Sequence, residues 1–292
     1  MKSIRVLKYT ITQEHNGKTV QDFLIGEQGY SRRIITRLKQ NRGDILLNGE
    51  HIRMVDPIHE GDIIQVSLHE ETYIHSNSEL QVPIIYEDDD VIVYNKPANM
   101  PVHPSRNHQY DTLANAFCYH MEQKHMRATF RPINRLDRDT SGLVVVAKNA
   151  LSASKLSGAV EKEYTAIVCG KVTPLEATID APIIRLDDFH IKRGVDKNGQ
   201  RCVTHYKVEL QNEKYSLVRI HLETGRTHQI RVHFSHIGYP LAGDDMYGGD
   251  MTDIKRQALC CNEVLFLHPQ TNSTIKLCIN IHDDMNKLVQ CE

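Results

Sequence analysis

No stretch of this 292-residue chain approaches the roughly 20 consecutive apolar residues that a membrane-spanning helix needs. The amino-terminal "MKSIRVLKYTITQEHNG" is interrupted by Arg5, Lys8 and Thr10, where a signal peptide would be continuously apolar. It reads as a strand, and the chain is expected in the cytoplasm with no membrane contact. There is no C-x-x-C pair either. The seven cysteines, Cys118, Cys169, Cys202, Cys260, Cys261, Cys278 and Cys291, are odd in number and are expected to be reduced thiols rather than zinc ligands or a redox pair. Repeats and low-complexity tracts are also missing. Hydrophobic residues at 40% and charged residues at 25% are ordinary globular values, which argue against a disordered or fibrous chain. The length suits one large domain or two unequal ones, and two are expected.

A strong net charge is lacking as well. The balance of -2 argues mildly against a nucleic-acid partner when taken alone, because phosphate binding needs clustered cations. Distribution carries more information than the sum. "SRRIITRLKQNRG", residues 31 to 43, holds Arg32, Arg33, Arg37, Lys39 and Arg42 with no acid, while "EDDD" at 87 to 90 gathers negative charge elsewhere. Such segregation fits an electrostatic footprint for nucleic acid, and equally the solvated face of a helix.

After the first strand, "TVQDFLIGEQ" and "SRRIITRLKQ" place apolar residues at helical spacing, with Ser31 as N-cap and Gly43 as stop. "DILLNGEHIR" reads as a hairpin turning at Asn48-Gly49, and "EGDIIQVSL" as a further strand. This order of two helices, hairpin and strand resembles the S4-like domain, a small RNA-binding domain first recognised in a ribosomal protein. The resemblance covers about Gln13 to Leu68 and implies that Arg32, Arg33, Arg37 and Lys39 face RNA phosphates. "HEETYIHSNSEL", residues 69 to 80, is polar and aperiodic and reads as a linker, giving domains of about 1–75 and 80–292.

Beyond Leu80 strands predominate: "PIIY", "VIVYN", "GLVVVAKN", "EYTAIVCGKV", "THYKVEL", "KYSLVRIHL" and "EVLFLHP". Helices are predicted at 112 to 122, 150 to 160 and around 226 to 237. Strands without regular crossover helices predict an α+β class with a mixed, largely antiparallel sheet.

The densest polar stretch, "NRLDRDTSG" at 134 to 142, runs directly into the most apolar one, "LVVVA". An acid placed just before a buried strand can project into a cleft from a rigid element, and flanking Arg135 and Arg138 would keep Asp137 ionised. An ionised carboxylate can attack an electrophilic sugar carbon, as in retaining glycosidases. The same residues also suit a capped turn, with Thr140 and Ser141 bonding local amides.

"RPINRLDRDTSGLVVVAKN" resembles the active-site signature of the RluA-type (RluD-like) pseudouridine synthases, which usually reads H-R-L-D-x-x-T-S-G-L. Three further stretches match that family in order: "YEDDDVIVYNKPANMPVHPS", "KEYTAIVCGKV" and "LETGRTHQIRVHFSHIGYPLAGDDMYGG". "ALCCNEVLFLHP" resembles its last strand. Together they span about Leu80 to the end of the chain.

The resemblance implies an isomerase that breaks the bond between uracil nitrogen and the ribose anomeric carbon, turns the base and rejoins it through ring carbon 5. No cofactor is expected, and the chain has no P-loop, dinucleotide fingerprint or metal-ligand spacing. It implies Asp137 as the catalytic carboxylate, which either adds to the sugar or removes a ribose proton to give a glycal-type intermediate. Tyr164 would pack on the base and help remove its final proton. Arg231 would hold Asp137 deprotonated through a bidentate contact, and Arg135 would take part in flipping the uridine out of its stack. The histidines His221, His228, His233 and His236 lack an acid or cysteine to complete a metal set.

Asn134 and Cys260 depart from the family pattern, since histidine is usual at both positions. The expected partner is RNA, with large-subunit (23S) ribosomal RNA favoured and transfer RNA possible, and a monomer is the default expectation. A non-catalytic RNA-binding or ribosome-assembly protein of the same fold is the alternative from a different class. A glycoside hydrolase would need a second carboxylate as general acid, for which Asp139 is a candidate only by proximity.

Overall fold

The computed structural model describes residues 3–70, 74–126, 128–186 and 191–290. The amino-terminal part forms β1 (Ser3–Thr10), α1 (Val20–Asp22), α2 (Arg32–Leu38), β2 (Ile45–Leu47), β3 (Glu50–His51) and β4 (Ile63–Glu70). Its four strands make one antiparallel sheet in the order β1-β4-β2-β3. The hairpin turns where the sequence predicts, with Asn48 and Gly49 both at positive φ, the geometry that matches the twist of the flanking strands. α1 continues into a wider turn, Phe23–Glu27, and Val20, Phe23 and Leu24 are buried as their spacing implies.

Ser31 caps α2 through its side chain, which accepts from the Ile34 amide at 3.4 Å. The helix stops at Leu38, short of the expected Gly43. The physical reason is a local turn in which Asn41 bonds Asp44 through both side chain and backbone, at 3.1 Å each, in place of further helical bonds.

The remaining elements are β5 (Ile84–Glu87), β6 (Val91–Lys96), α3 (Leu113–Gln123), β7 (Arg131–Pro132), β8 (Ser141–Ala147), α4 (Ala150–Leu156), β9 (Glu161–Cys169) and β10 (Glu176–Asp180). They are followed by β11 (Ile183–Arg185), β12 (Arg193–Val195), β13 (Val203–Gln211), β14 (Tyr215–Leu222), α5 (Gln229–His236), β15 (Leu259–Leu267), β16 (Thr274–Cys278) and α6 (Asp283–Gln290). A ten-stranded sheet runs β10-β13-β14-β9-β15-β8-β6-β5, with β16 beside β15 and β7 beside β8, while β11 and β12 form a separate hairpin. Among the described residues only β8 and β15 pair in parallel, so the α+β class with a mixed, largely antiparallel sheet is the observed architecture. Every residue of β8 is buried, which explains why "LVVVA" shows no polar alternation. Among the described residues no helix is long and apolar enough to cross a membrane.

The two sheets meet at α4. Leu151, fully buried, belongs to the same apolar cluster as Leu7, Leu24, Tyr30 and Ile35 of the amino-terminal part. Arg5 donates to buried Asp90 at 2.9 Å and approaches Asp89 at 3.3 Å, so part of the "EDDD" acidity is taken up by this junction. Asp90 also accepts from Asn149 at 2.7 Å. Of the expected linker, residues 71–73 lie outside the described residues, as does Cys291. The segment after them is tied to α3, because Asn115 donates to the His75 carbonyl at 2.7 Å.

Candidate active site

The turn that carries Asp137 is fastened on three sides. On its amino-terminal side Asn134 is buried and bonds the backbone of β8 twice, donating to the Leu143 carbonyl at 2.9 Å and accepting from the Val145 amide at 2.9 Å. The departure from histidine at this position therefore has a structural role here, with the amide acting as both donor and acceptor. On its carboxy-terminal side Gly142 has φ +115°, and a Cβ there would lie 2.2 Å from the Cys261 carbonyl oxygen. Only glycine lets β8 run beside β15 in this register. From below, fully buried Lys96 at the end of β6 donates to the carbonyls of Pro97 (2.8 Å), Met100 (2.8 Å) and Arg138 (3.0 Å). Burial pushes its ammonium down to about 7, against the pull of Asp139 and Asp137.

Asp137 emerges from this cradle with 27% of its side chain exposed. Its Oδ2 accepts from Arg231 Nη1 at 3.0 Å. The bidentate contact expected for Arg231 goes elsewhere: Nε and Nη2 fork onto Asp244, at 2.7 and 2.8 Å, with both partners buried. This leaves one guanidinium nitrogen for Asp137. Asp244 fixes the arginine and the arginine fixes Asp137. Desolvation opposes the Arg231 charge, but the two carboxylates outweigh it and hold its pKa above the usual arginine range. Arg138, expected to support Asp137, turns away and pairs with its neighbour Asp139 at 3.0 Å, both residues lying in the turn between Asp137 and β8. Arg231 supplies the local positive charge instead.

Tyr164 lies on β9 opposite Cys261 and is 7% exposed. Burial, then the neighbouring Cys261 and Asp137, hold its phenol well above the ordinary range, so it carries its proton. Arg135 is exposed and lines a cleft of about 490 Å³ together with Asp137, Lys162, Tyr164 and Arg226. The four residues singled out for the chemistry converge, since Arg135, Asp137, Tyr164 and Arg231 all line an adjoining small cavity of about 60 Å³. Cys260 does not share it. Its thiol packs in a separate apolar cluster with Ile167, Tyr215 and Ala242.

The histidines of the 221–236 stretch are dispersed among other partners. His221 pairs with Glu163 at 2.7 Å, and His233 bonds Thr204 and the Ala181 carbonyl, each at 2.9 Å. His228 is buried, with Nδ1 2.8 Å from the Tyr247 hydroxyl and Nε2 3.7 Å from Asp137. Sequence reasoning missed Lys96, His228, Asp244 and Tyr247. The available signals were a lysine closing an apolar strand in "VIVYNKPANM", and the glycine-flanked acids of "AGDDMYGG". Arg32, Arg33, Arg37 and Lys39 are all exposed on or next to α2, and none forms an ion pair with a described residue.

Half of the chain, residues 90–236, matches the family described as RNA pseudouridylate synthase. Residues 7–64 match the family described as RluD ribosomal pseudouridine synthase N-terminal domain. Over 281 residues the chain is 41% identical to the uncharacterized RNA pseudouridine synthase YjbO of Bacillus subtilis, covering 94% of this chain and 99% of that protein. It is 37% identical to ribosomal large subunit pseudouridine synthase D of Pseudomonas aeruginosa, over 80% of this chain and 79% of that one. The solved structure of human RNA pseudouridylate synthase domain containing 1 superimposes with a TM-score of 0.58 at 25% identity, covering 71% of this chain and 86% of that chain. The fold is thus that of an RNA-modifying isomerase. With the second matched domain included, the chain belongs to the RluA/RluD-type RNA pseudouridine synthases.

Proposed function

We propose that this enzyme converts uridine to pseudouridine in large-subunit ribosomal RNA, with Asp137 as the reacting carboxylate. The observation that carries the assignment is the single 3.0 Å bond from Arg231 to Asp137 at the head of a cleft shared with Tyr164 and Arg135. One oxygen of Asp137 is held and the carboxylate stays partly exposed, which suits a group that must meet a ribose carbon or its proton.

Arg135 stands exposed at the cleft mouth, where a planar guanidinium can fill the gap left by an extruded base and bond the backbone around it. Tyr164 then faces the extruded uracil. Its protonated phenol stacks on the ring, and late in the reaction it can take the carbon 5 hydrogen once it has passed its own proton to the Asp137 carboxylate.

The ribosomal target is supported by relatives named ribosomal large subunit pseudouridine synthase D, which share 34–37% identity over 80–89% of the chain. Residues 1–75 act as the RNA-binding domain, with Arg32, Arg33, Arg37 and Lys39 of the exposed α2 region meeting phosphates and adding affinity without sequence choice. In this reading the enzyme acts as a monomer. The described cysteines form no disulfide, in keeping with a cytoplasmic enzyme.

The test maps pseudouridines in ribosomal and transfer RNA from cells with and without the gene. Loss of defined sites in large-subunit RNA, restored by the wild-type gene and not by Asp137→Asn, is the expected result. Loss confined to transfer RNA would overturn the ribosomal assignment.

A further inference from the structure

His228 is an unusual residue for a site that the chemistry above does not use. It sits at the start of α5 with φ 59° and ψ 17°, a left-handed backbone that non-glycine residues seldom adopt. It is buried, and strain of this kind persists where surrounding structure imposes it, often at functional sites.

Its hydrogen bonds favour one position for its proton. The Tyr247 hydroxyl oxygen accepts from the backbone N–H of Arg193, on β12, at 2.9 Å. Among the described residues the acceptor left for the Tyr247 proton is His228 Nδ1, 2.8 Å away. With the Tyr247 proton directed at it, Nδ1 is the bare nitrogen, and a neutral imidazole then carries its hydrogen on Nε2. Nε2 faces Asp137 Oδ2 at 3.7 Å, the same oxygen that Arg231 holds at 3.0 Å. A movement of about 0.7 Å would bring this donor into bonding range, and such contacts often tighten only when substrate is bound.

We propose that His228 is a positioning residue for Asp137, presenting Nε2–H to the carboxylate in a tautomer set by Tyr247, and that the hairpin bearing Arg193 anchors this chain of bonds. The proposal rests on the reading of Asp137 as the reacting group. The charged and titratable groups facing His228 are Asp137, Asp244, Arg231, Arg193 and Tyr247. Burial, helped by the two arginines and opposed by the two carboxylates, keeps the imidazole below its ordinary pKa. A neutral N–H steers the carboxylate without adding a second full positive charge that would blunt its reactivity. The far end of the chain opens on a basic cavity: Arg193 lines a space of about 400 Å³ with Arg135, Arg185 and Arg226, next to the cleft that holds Asp137. Phosphates seated there would bear on the hairpin whose amide holds Tyr247.

Three full-length variants test this on total RNA from cells lacking the gene, labelled with tritium at uracil carbon 5. His228→Asn keeps an amide near Nδ1 and tolerates the left-handed backbone, but cannot reach Asp137. His228→Gln can place an N–H near the Nε2 position. The expected single-turnover rates are a loss of about 100-fold for His228→Asn and within about 10-fold of wild type for His228→Gln, with RNA affinity unchanged in both. Tyr247→Phe frees the tautomer. Its rate should gain a limb below the ordinary imidazole range that rises toward acid, as protonation restores Nε2–H, and wild type should lack that limb.

Equal rates for the two His228 variants, or a Tyr247→Phe profile parallel to wild type, would overturn the proposal. Asp137→Asn is measured alongside: turnover by that variant defeats the reading of Asp137, whereas an inactive Asp137→Asn with a normal His228→Asn defeats only the role of His228.

Discussion

The molecule uses arginine in two opposite ways. In the cleft, Arg231 is buried with 5% of its side chain exposed, and three of its nitrogens are committed to two carboxylates from different loops. On α2, Arg32, Arg33 and Arg37 project into solvent without an ion-pair partner among the described residues. The first arrangement fixes geometry and gives up freedom; the second keeps freedom and supplies charge. Chemistry on one ribose carbon needs the first kind, and gripping a long polyanion needs the second.

Substitutions in the two regions should therefore fail differently. The largest effect is expected for Asp137→Asn, with turnover reduced at least about 1000-fold while the fold and RNA affinity stay near wild type, because the side chain is partly exposed and the substitution nearly isosteric. Next is Arg231→Ala, which strands Asp244, 1% exposed, without its partner. A loss of about 3–5 kcal/mol of stability is expected in chemical denaturation, together with lost turnover. Asn134→Ala should cost about 1–3 kcal/mol, since the Leu143 carbonyl and Val145 amide lose their bonds at a buried site, and turnover should fall with the loosened turn. The mildest is the joint replacement of Arg32, Arg33, Arg37 and Lys39 by glutamine. RNA affinity should weaken about 10- to 100-fold and the slope of log affinity against log salt should shrink by about 3, with the rate at saturating RNA unchanged. A collapse in that rate instead would mean that the two regions are not separable.

What could be read from sequence follows the same division. Strand runs such as "GLVVVAKN", the Asn48-Gly49 turn and the Ser31 cap are local signals, and each lies where its local physics puts it. The convergence of Asp137, Tyr164 and Arg231 was reachable through motif resemblance, although they are far apart in the chain. The supporting partners were not, because a partner 13 residues away across a loop, like Asp244 for Arg231, leaves no periodic trace. Lys96 gave a weak signal as a cation ending a buried strand, and its three carbonyl acceptors become visible only when the Pro97 to Met100 loop folds over it. The short pieces β10, β11, β12 and β16 and the terminal α6 also escaped, since segments of three to eight residues beside polar loops carry too little pattern. Arg138 was misassigned for a related reason: sequence adjacency to Asp137 says nothing about direction, and its side chain turns to Asp139.

The central claim is that one carboxylate, held by one arginine nitrogen, starts the isomerisation. Its most direct test is single-turnover tritium release from RNA labelled at uracil carbon 5, using purified Asp137→Asn whose RNA binding has been measured to match wild type. Bound RNA and no release above background is the expected result. Release at a rate comparable to wild type would contradict it.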